Sequence, residues 1–348
     1  MMRVGIVSRA RPGPHRALTA AIGALVMLAL LSCGGAAQQS NRTPATSAAA
    51  PPSPSPNPSP VVSSPSAPPQ PAQRLEAPLP VALEESSAAA AGGRLYVIGG
   101  FDASGRSLRT VYVFDGHTWK AGPRLPLGLD HAAAVTLDDR LYLSGGHSGG
   151  ADSARVFRLD GASWTELSSM RHARGGHALL AVGGRLYAVG GNTAAGNVAP
   201  VEEYDPQTRR WSDITTLPDL RNHVAGFAFG SEACVAGGRS PNTTRVDCFD
   251  YHTRKWARLA NLPQPTSGAG AATLGDGTVI VMGGEDNQES SLVNQLARLP
   301  STGRWTARER MLVPRHGFQL ALFEGRAWAC GGGSSAGLHP VATCTSVL

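Results

Sequence analysis

Nine basic side chains that could grip an anion or carry a proton recur at one phase of this sequence: His131, Arg171, His172, Arg174, His177, Arg221, His223, Arg315 and His316. Each stands at or just before a short run of small or apolar residues, in the second, third, fourth and sixth of six similar stretches. The first and fifth stretches have none. Arginine forks bind carboxylates and phosphates through paired hydrogen bonds, and imidazole adds a charge that titrates near neutral pH. Gathered into one concavity, these groups would form an anion-binding mouth. They lie far apart along the chain, so only a repeating architecture brings them together.

That architecture is visible in a second set of residues. Glycine pairs begin at Gly99, Gly145, Gly190, Gly237, Gly283 and Gly331, spaced 45 to 48 residues apart. Trp119, Trp164, Trp211, Trp256 and Trp305 follow the first five pairs by 19 to 22 residues. Each unit offers four short apolar runs separated by turn residues, and no helical periodicity survives beyond the leader. The first run is built of small residues, as in 86–91, 131–135 and 268–272, as crowding near an axis demands. The second run ends in the glycine pair, where the missing Cβ permits positive φ and close backbone approach. The tryptophan falls in the fourth run, where an indole can bury roughly 150–250 Å² between neighbouring units. Repetition at this period predicts a β-propeller with one four-stranded blade per unit.

The third unit reads Arg174-Gly-Gly-His177, Arg185-Leu-Tyr-Ala-Val-Gly-Gly191, Val201-Glu-Glu-Tyr-Asp-Pro206, Trp211 and Leu217-Pro218. It resembles a kelch repeat, and the resemblance covers 73–348. The expected fold is all-β: a six-bladed kelch propeller preceded by a signal peptide and a disordered linker. The sixth unit stops at Leu348 before a fourth strand. The stretch 73–80 ends in Leu-Pro, as the tryptophan-bearing stretches do, with Gln73 in the tryptophan's place. An N-terminal strand is therefore expected to close the last blade and remove an open sheet edge.

The kelch resemblance implies a framework role for recurrent Arg and His residues as well, with imidazoles bonded to backbone at strand starts. His131, Arg171, Arg174, His177, Arg221, His223, Arg315 and His316 thus stand as candidate ligand-binding residues beside that alternative. Variable loops between second and third strands, at 101–107, 147–152, 239–244 and 285–291, share their face and suit recognition. Glu285, Asp286 and Glu289 carry calcium-type oxygens without a complete ligand pattern. Galactose oxidase is a kelch-type enzyme, but its copper site needs a cysteine-linked tyrosine that these cysteines do not favour. An exported kelch mutarotase acting on sialic acid is nearer in architecture. By that likeness Glu84, Glu85 or Asp130 would exchange a proton while Arg174 or Arg221 held a carboxylate. No nucleophile elbow, zinc-protease helix or phosphate loop is present. The leading expectation is a non-catalytic module binding a protein or glycan, monomeric, with no cofactor and no metal.

Of the five cysteines, Cys234 pairs in spacing with Cys248 and Cys330 with Cys344, each 14 residues apart. In each pair one member falls in a second strand and the other in a third, which suits a disulfide within blade four and another within blade six. A metal site is the rival reading, but no histidine stands near them at ligand spacing.

The fifth, Cys33, ends a different kind of segment. Arg3, Arg9, Arg11 and Arg16 precede an apolar stretch from Ala17 to Leu31, shorter than a membrane span and suited to export. Leu30-Leu31-Ser32-Cys33-Gly34 resembles the bacterial lipobox, which implies cleavage and acylation at Cys33, with 1–33 as signal peptide. An acyl chain anchors at roughly 0.8 kcal/mol per buried CH₂. The stretch 34–72 is almost all Ala, Pro, Ser, Gln and Thr, a disordered tether reaching on the order of 100 Å if extended. Gly34 stands where an acidic residue would signal inner-membrane retention, so the expected address is the outer membrane or cell surface. The leader holds four of the charges behind the net +6 and no acid, leaving about +2. Lys120 and Lys255 are the only lysines, and no basic run interleaved with aromatics points to nucleic acid.

Overall fold

The computed structural model describes residues 72–348, except 287 and 302. The expected leader, Cys33 and the tether up to residue 71 lie outside the described residues. Six four-stranded antiparallel sheets follow one another along the chain. Blade one is Ser87–Ala91, Arg94–Ile98, Val111–Phe114 and Trp119–Ala121. Blade three is Ala178–Val182, Arg185–Val189, Pro200–Asp205 and Arg210–Thr216. In the sixth sheet Leu320–Phe323, Arg326–Cys330 and Cys344–Val347 supply three strands, and Gln73–Glu76 lies antiparallel to the last of them.

The strands carry near-continuous apolar runs because both faces of each blade are covered. In Arg94–Ile98, Leu95 and Val97 turn toward blade six while Tyr96 and Ile98 turn toward blade two. Six buried apolar clusters result, each drawn from two adjacent blades. At roughly 1.5–3 kcal/mol for each large side chain fully buried, this packing holds the blades face to face. The first strands touch their neighbours in cyclic order, the sixth against the first.

At the rim the indoles span blade to blade. The Nε1 groups of Trp119, Trp164, Trp211 and Trp305 donate to the carbonyls of Ala77, Pro123, Ser168 and Ala260, at 2.8–3.1 Å. Trp256 reaches Thr215 Oγ1 instead. Trp305 stands one residue before its strand, Thr306–Glu309. Gln73 bridges in the same manner, donating to Arg310 O and accepting from Leu312 N. Disulfides join Cys234 to Cys248 and Cys330 to Cys344, directly opposed residues of second and third strands in blades four and six.

Candidate functional site

The first strands begin later than the sequence runs indicate, at Ala133 rather than His131 and at Gly270 rather than Gly268. The two or three residues ahead of each strand curl instead into a ring around the axis. Glu85, His131, Gly176, His223, Gly268 and Gly317 occupy equivalent positions, and all have φ between 50° and 63°. Each N–H donates to the carbonyl of the preceding member: His131 to Glu85, Gly176 to His131, His223 to Gly176, Gly268 to His223, Gly317 to Gly268 and Glu85 to Gly317, at 2.6–3.0 Å. Six backbone hydrogen bonds therefore close on themselves. Left-handed backbone suits glycine, so Glu85, His131 and His223 are the three members where a side chain is held at a cost of about 1–3 kcal/mol.

The residue before each ring member pairs with the residue after the same blade's glycine pair: Glu84 with Phe101, Asp130 with His147, Gly175 with Asn192, Asn222 with Arg239, Ser267 with Glu285, and His316 with Gly333. The glycine pair makes this possible. A Cβ on Gly145, at φ 65°, would stand 2.3 Å from Arg174 O. The loops between second and third strands thus rise directly from the ring and rim its mouth.

Charged groups fill this mouth and bind one another. His131 donates from Nδ1 to Asp130 at 2.7 Å, and its Nε2 lies 3.5 Å from Glu85. Ser107 donates to the other Asp130 oxygen at 2.5 Å. His223 donates from Nδ1 to Asn222 Oδ1 at 2.5 Å, while Arg239 donates to its Nε2 at 2.9 Å. Arg239 also pairs with Glu285 and Glu289. His316 lies 3.4 Å from both Glu84 and Glu285, and Glu84 accepts from the backbone N–H of His339. His147 pairs with Asp152 at 3.0 Å.

Burial shapes the charges. It pushes Glu84 up to about 7, against the pull of His316, and raises Glu285 against His316 and Arg239. Burial holds His223 well below the imidazole range, with His131 and Arg239 adding to the effect, and it lowers His147 together with His131. For His131 burial acts downward as well, but Glu85 and Asp130 outweigh it and the imidazole is raised.

Below the ring the channel is divided. One recess is lined by Glu85, His131, His177, His223 and Gln319, and a second lies beyond, against Ala89, Val135, Phe227 and Leu322. Gln319 walls both. Its amide reaches across from blade six to accept from Ala88 N and Ala134 N and to donate to Ala134 O at 2.6 Å.

Only part of the basic set meets here. His131, His223 and His316 face the mouth; the three repeat arginines do not. Arg174 is fully buried inside blade three, donating to Gly190 O and Pro200 O and pairing with Glu202 at 2.8 Å. Arg221 does the same in blade four with Gly237 O and Asp247. Arg315 donates to Gly331 O and Thr343 O in blade six, and burial brings it down to about 10. These are struts between strands: Arg174 and Arg221 are held by a carboxylate and carbonyls, Arg315 by carbonyls. His177 is buried against Ser144 at 2.9 Å, and burial with Arg174 holds it well below the imidazole range. Arg171 and His172 sit outside the mouth, against Asp213 of an outer strand. Glu285, Asp286 and Glu289 do not converge as calcium ligands: Asp286 folds onto Ser290 and Ser291 while the two glutamates meet Arg239. Sequence reasoning placed His147, Arg239 and Glu285 in loops without joining them to the histidines. Their shared position, immediately after a glycine pair, was the available signal.

Comparison with known proteins agrees with this geometry. Residues 70–238 match the family model described as the KLHDC2/KLHL20/DRC7 Kelch-repeats domain. Kelch-like protein 35 of Mus musculus is 28% identical over 161 residues, 44% of this chain and 28% of that one. Kelch-like protein terF of Aspergillus terreus is 25% identical over 294 residues, covering 74% of this chain and 63% of that protein. Alpha-scruin of Limulus polyphemus is 36% identical over 90 residues, 26% of this chain and 10% of that one. The chain spans less than two thirds of each of these relatives. Among solved structures, that of YjhT superposes with a TM-score of 0.66 at 20% identity, over 77% of this chain and 95% of the other, a likeness of fold. Repeat spacing and cyclic contacts make the described domain a six-bladed β-propeller, and the match over residues 70–238 together with the kelch-like relatives supports the kelch type.

Proposed function

We propose that this chain is an exported, lipid-anchored kelch propeller whose loop face binds a protein or a glycan without transforming it. Kelch repeats generally serve as protein-binding domains, and the coarse function follows from that. One observation carries the finer reading. The buried ionic groups of the mouth satisfy each other, while the arginines that would clamp a substrate carboxylate are withdrawn into the blades. Recognition then falls to the six loops around it. Acylation of Cys33 would hold the domain at the outer membrane or cell surface on its Pro-rich tether. In the same reading, the pairing of Gln73–Glu76 with Cys344–Val347 fastens the ring where its ends meet.

The test is a pull-down and glycan array with the purified chain, beside a variant in which 239–244 and 285–291 are replaced by Gly-Ser segments. A ligand retained by the wild type and lost by the variant is expected; equal capture by both would refute a loop-face site. Labelling with a radioactive fatty acid that persists in Cys33→Ser would refute the anchor.

A second reading rests on Glu84, whose carboxyl, pushed up to about 7, lies 3.4 Å from His316. Such a carboxyl can give and take a proton near neutrality, as a sugar epimerase or mutarotase requires. Anomeric exchange of a sialic acid followed by NMR, unaccelerated by the wild-type chain, eliminates it.

A further inference from the structure

We propose that Glu85, His131 and His223 bind a divalent metal ion of the zinc class on the propeller axis. The binding reading above neither requires nor excludes such an ion. Their ligating atoms lie within 4.8 Å of one another. His131 Nε2 and Glu85 Oε2, at 3.5 Å, already stand near the separation of about 3.4 Å that neighbouring ligands adopt in a tetrahedron with bonds of about 2.0–2.1 Å.

Three further features support this assignment. Both imidazoles are oriented from behind: Nδ1 of His131 donates to Asp130, and Nδ1 of His223 to Asn222, which leaves each Nε2 as the acceptor, that of His131 beside Glu85 and that of His223 beside Arg239. That is the arrangement by which a hydrogen-bonded acceptor fixes the tautomer of a metal-binding histidine. Asp130 is itself held by Ser107, so the orienting carboxylate cannot swing away freely.

The ring also sets space beside bulk in the required way. A Cβ on Gly176 would stand 2.9 Å from His223 Nδ1, and one on Gly317 would stand 2.6 Å from Glu85 Oε1. Glycine at those members is what lets the side chains of the others lean over them. Left-handed backbone would admit glycine at all six members, yet the three that depart from it are Glu, His and His.

Finally, the chemistry matches. Two imidazoles and one carboxylate suit zinc and similar borderline ions, and three protein ligands leave a fourth position open toward the mouth. Arg239 now meets the His223 Nε2 lone pair. Its other terminal nitrogen is held by Glu285 and Glu289, so the guanidinium keeps its anionic partners when an ion takes that lone pair.

The test uses the full chain without a polyhistidine tag. Zn²⁺ affinity is measured by competition with a chromophoric chelator, and Co²⁺ is titrated for its visible absorption. One equivalent of Zn²⁺ is expected, with intense Co²⁺ bands of four-coordinate type. Binding should weaken more than tenfold in His131→Ala and His223→Ala and roughly 10–100-fold in Asp130→Asn, while the exposed-site control His117→Ala stays unchanged. Should the alanine variants fail to fold, Glu85→Gln and the Co²⁺ spectrum of the unaltered chain decide. Absence of stoichiometric binding, a pale six-coordinate Co²⁺ spectrum, or binding lost in His316→Ala but kept in His131→Ala each overturns the site.

Discussion

Replacing Arg174 with alanine should unfold the propeller more easily without touching recognition. The guanidinium and its partner Glu202 are both fully buried, 2.8 Å apart. Removing the cation leaves the Glu202 carboxylate without its counter-charge and two carbonyls, Gly190 O and Pro200 O, without the donor they now share. Breaking a buried pair from one side costs about 3–5 kcal/mol. For a domain of this size about 2–4 °C of Tm goes with each kcal/mol, which places the fall at roughly 6–20 °C. Arg174→Lys keeps the charge but not the planar fork, so it should lie between. Converting the pair to Met and Leu should not restore stability, because Glu202 also accepts from Arg171 N and His172 N, and those donors would be stranded. Calorimetry with chemical denaturation, alongside the ligand pull-down, gives the answer. A Tm within 2 °C of wild type, or loss of ligand at unchanged Tm, would refute the framework role and return Arg174 to the mouth.

Three other outcomes follow from the same geometry. Cys330→Ser with Cys344→Ser should lower unfolding free energy by about 3 kcal/mol, the loop-closure value for this spacing, read from denaturant midpoints under oxidising conditions. Gly145→Ala forces a Cβ to 2.3 Å from Arg174 O at positive φ; a loss of at least about 1–3 kcal/mol is expected, and a neutral result in urea denaturation would contradict the tight corner. His177 is held neutral by burial and Arg174, so the unfolded chain takes up its proton first. Stability should be complete above about pH 6.5 and decline as pH falls below that value. His177→Gln should flatten this slope in unfolding curves recorded from pH 7.5 to 5.

Much of the scaffold was legible because its markers are local. A glycine pair at a turn and an indole at a rim report on their own blade, and cysteines 14 residues apart fall opposite one another across two neighbouring strands. The mouth was harder to read. Its ionic pairs join residues from different repeats, such as Glu84 with His316 or Arg239 with Glu285, and no spacing rule within one unit reveals them. The arginines misled for a related reason. An arginine ahead of a small-residue strand looks like a ligand group until its buried partner is seen, and Glu202 and Asp247 lie two strands and a loop further on. The start of two first strands was misplaced because the ring members His131 and Gly268 adopt left-handed backbone, which apolar patterning does not register.

The closed circuit of hydrogen bonds among the six ring residues has no first or last link. A linear array can fray from its end one repeat at a time, but here excision of any sector strands a donor on one neighbour and an acceptor on the other, both at the crowded hub. Loss of a blade is therefore paid for twice, so five-sector fragments and stepwise melting intermediates are disfavoured and the wheel should give way as a whole.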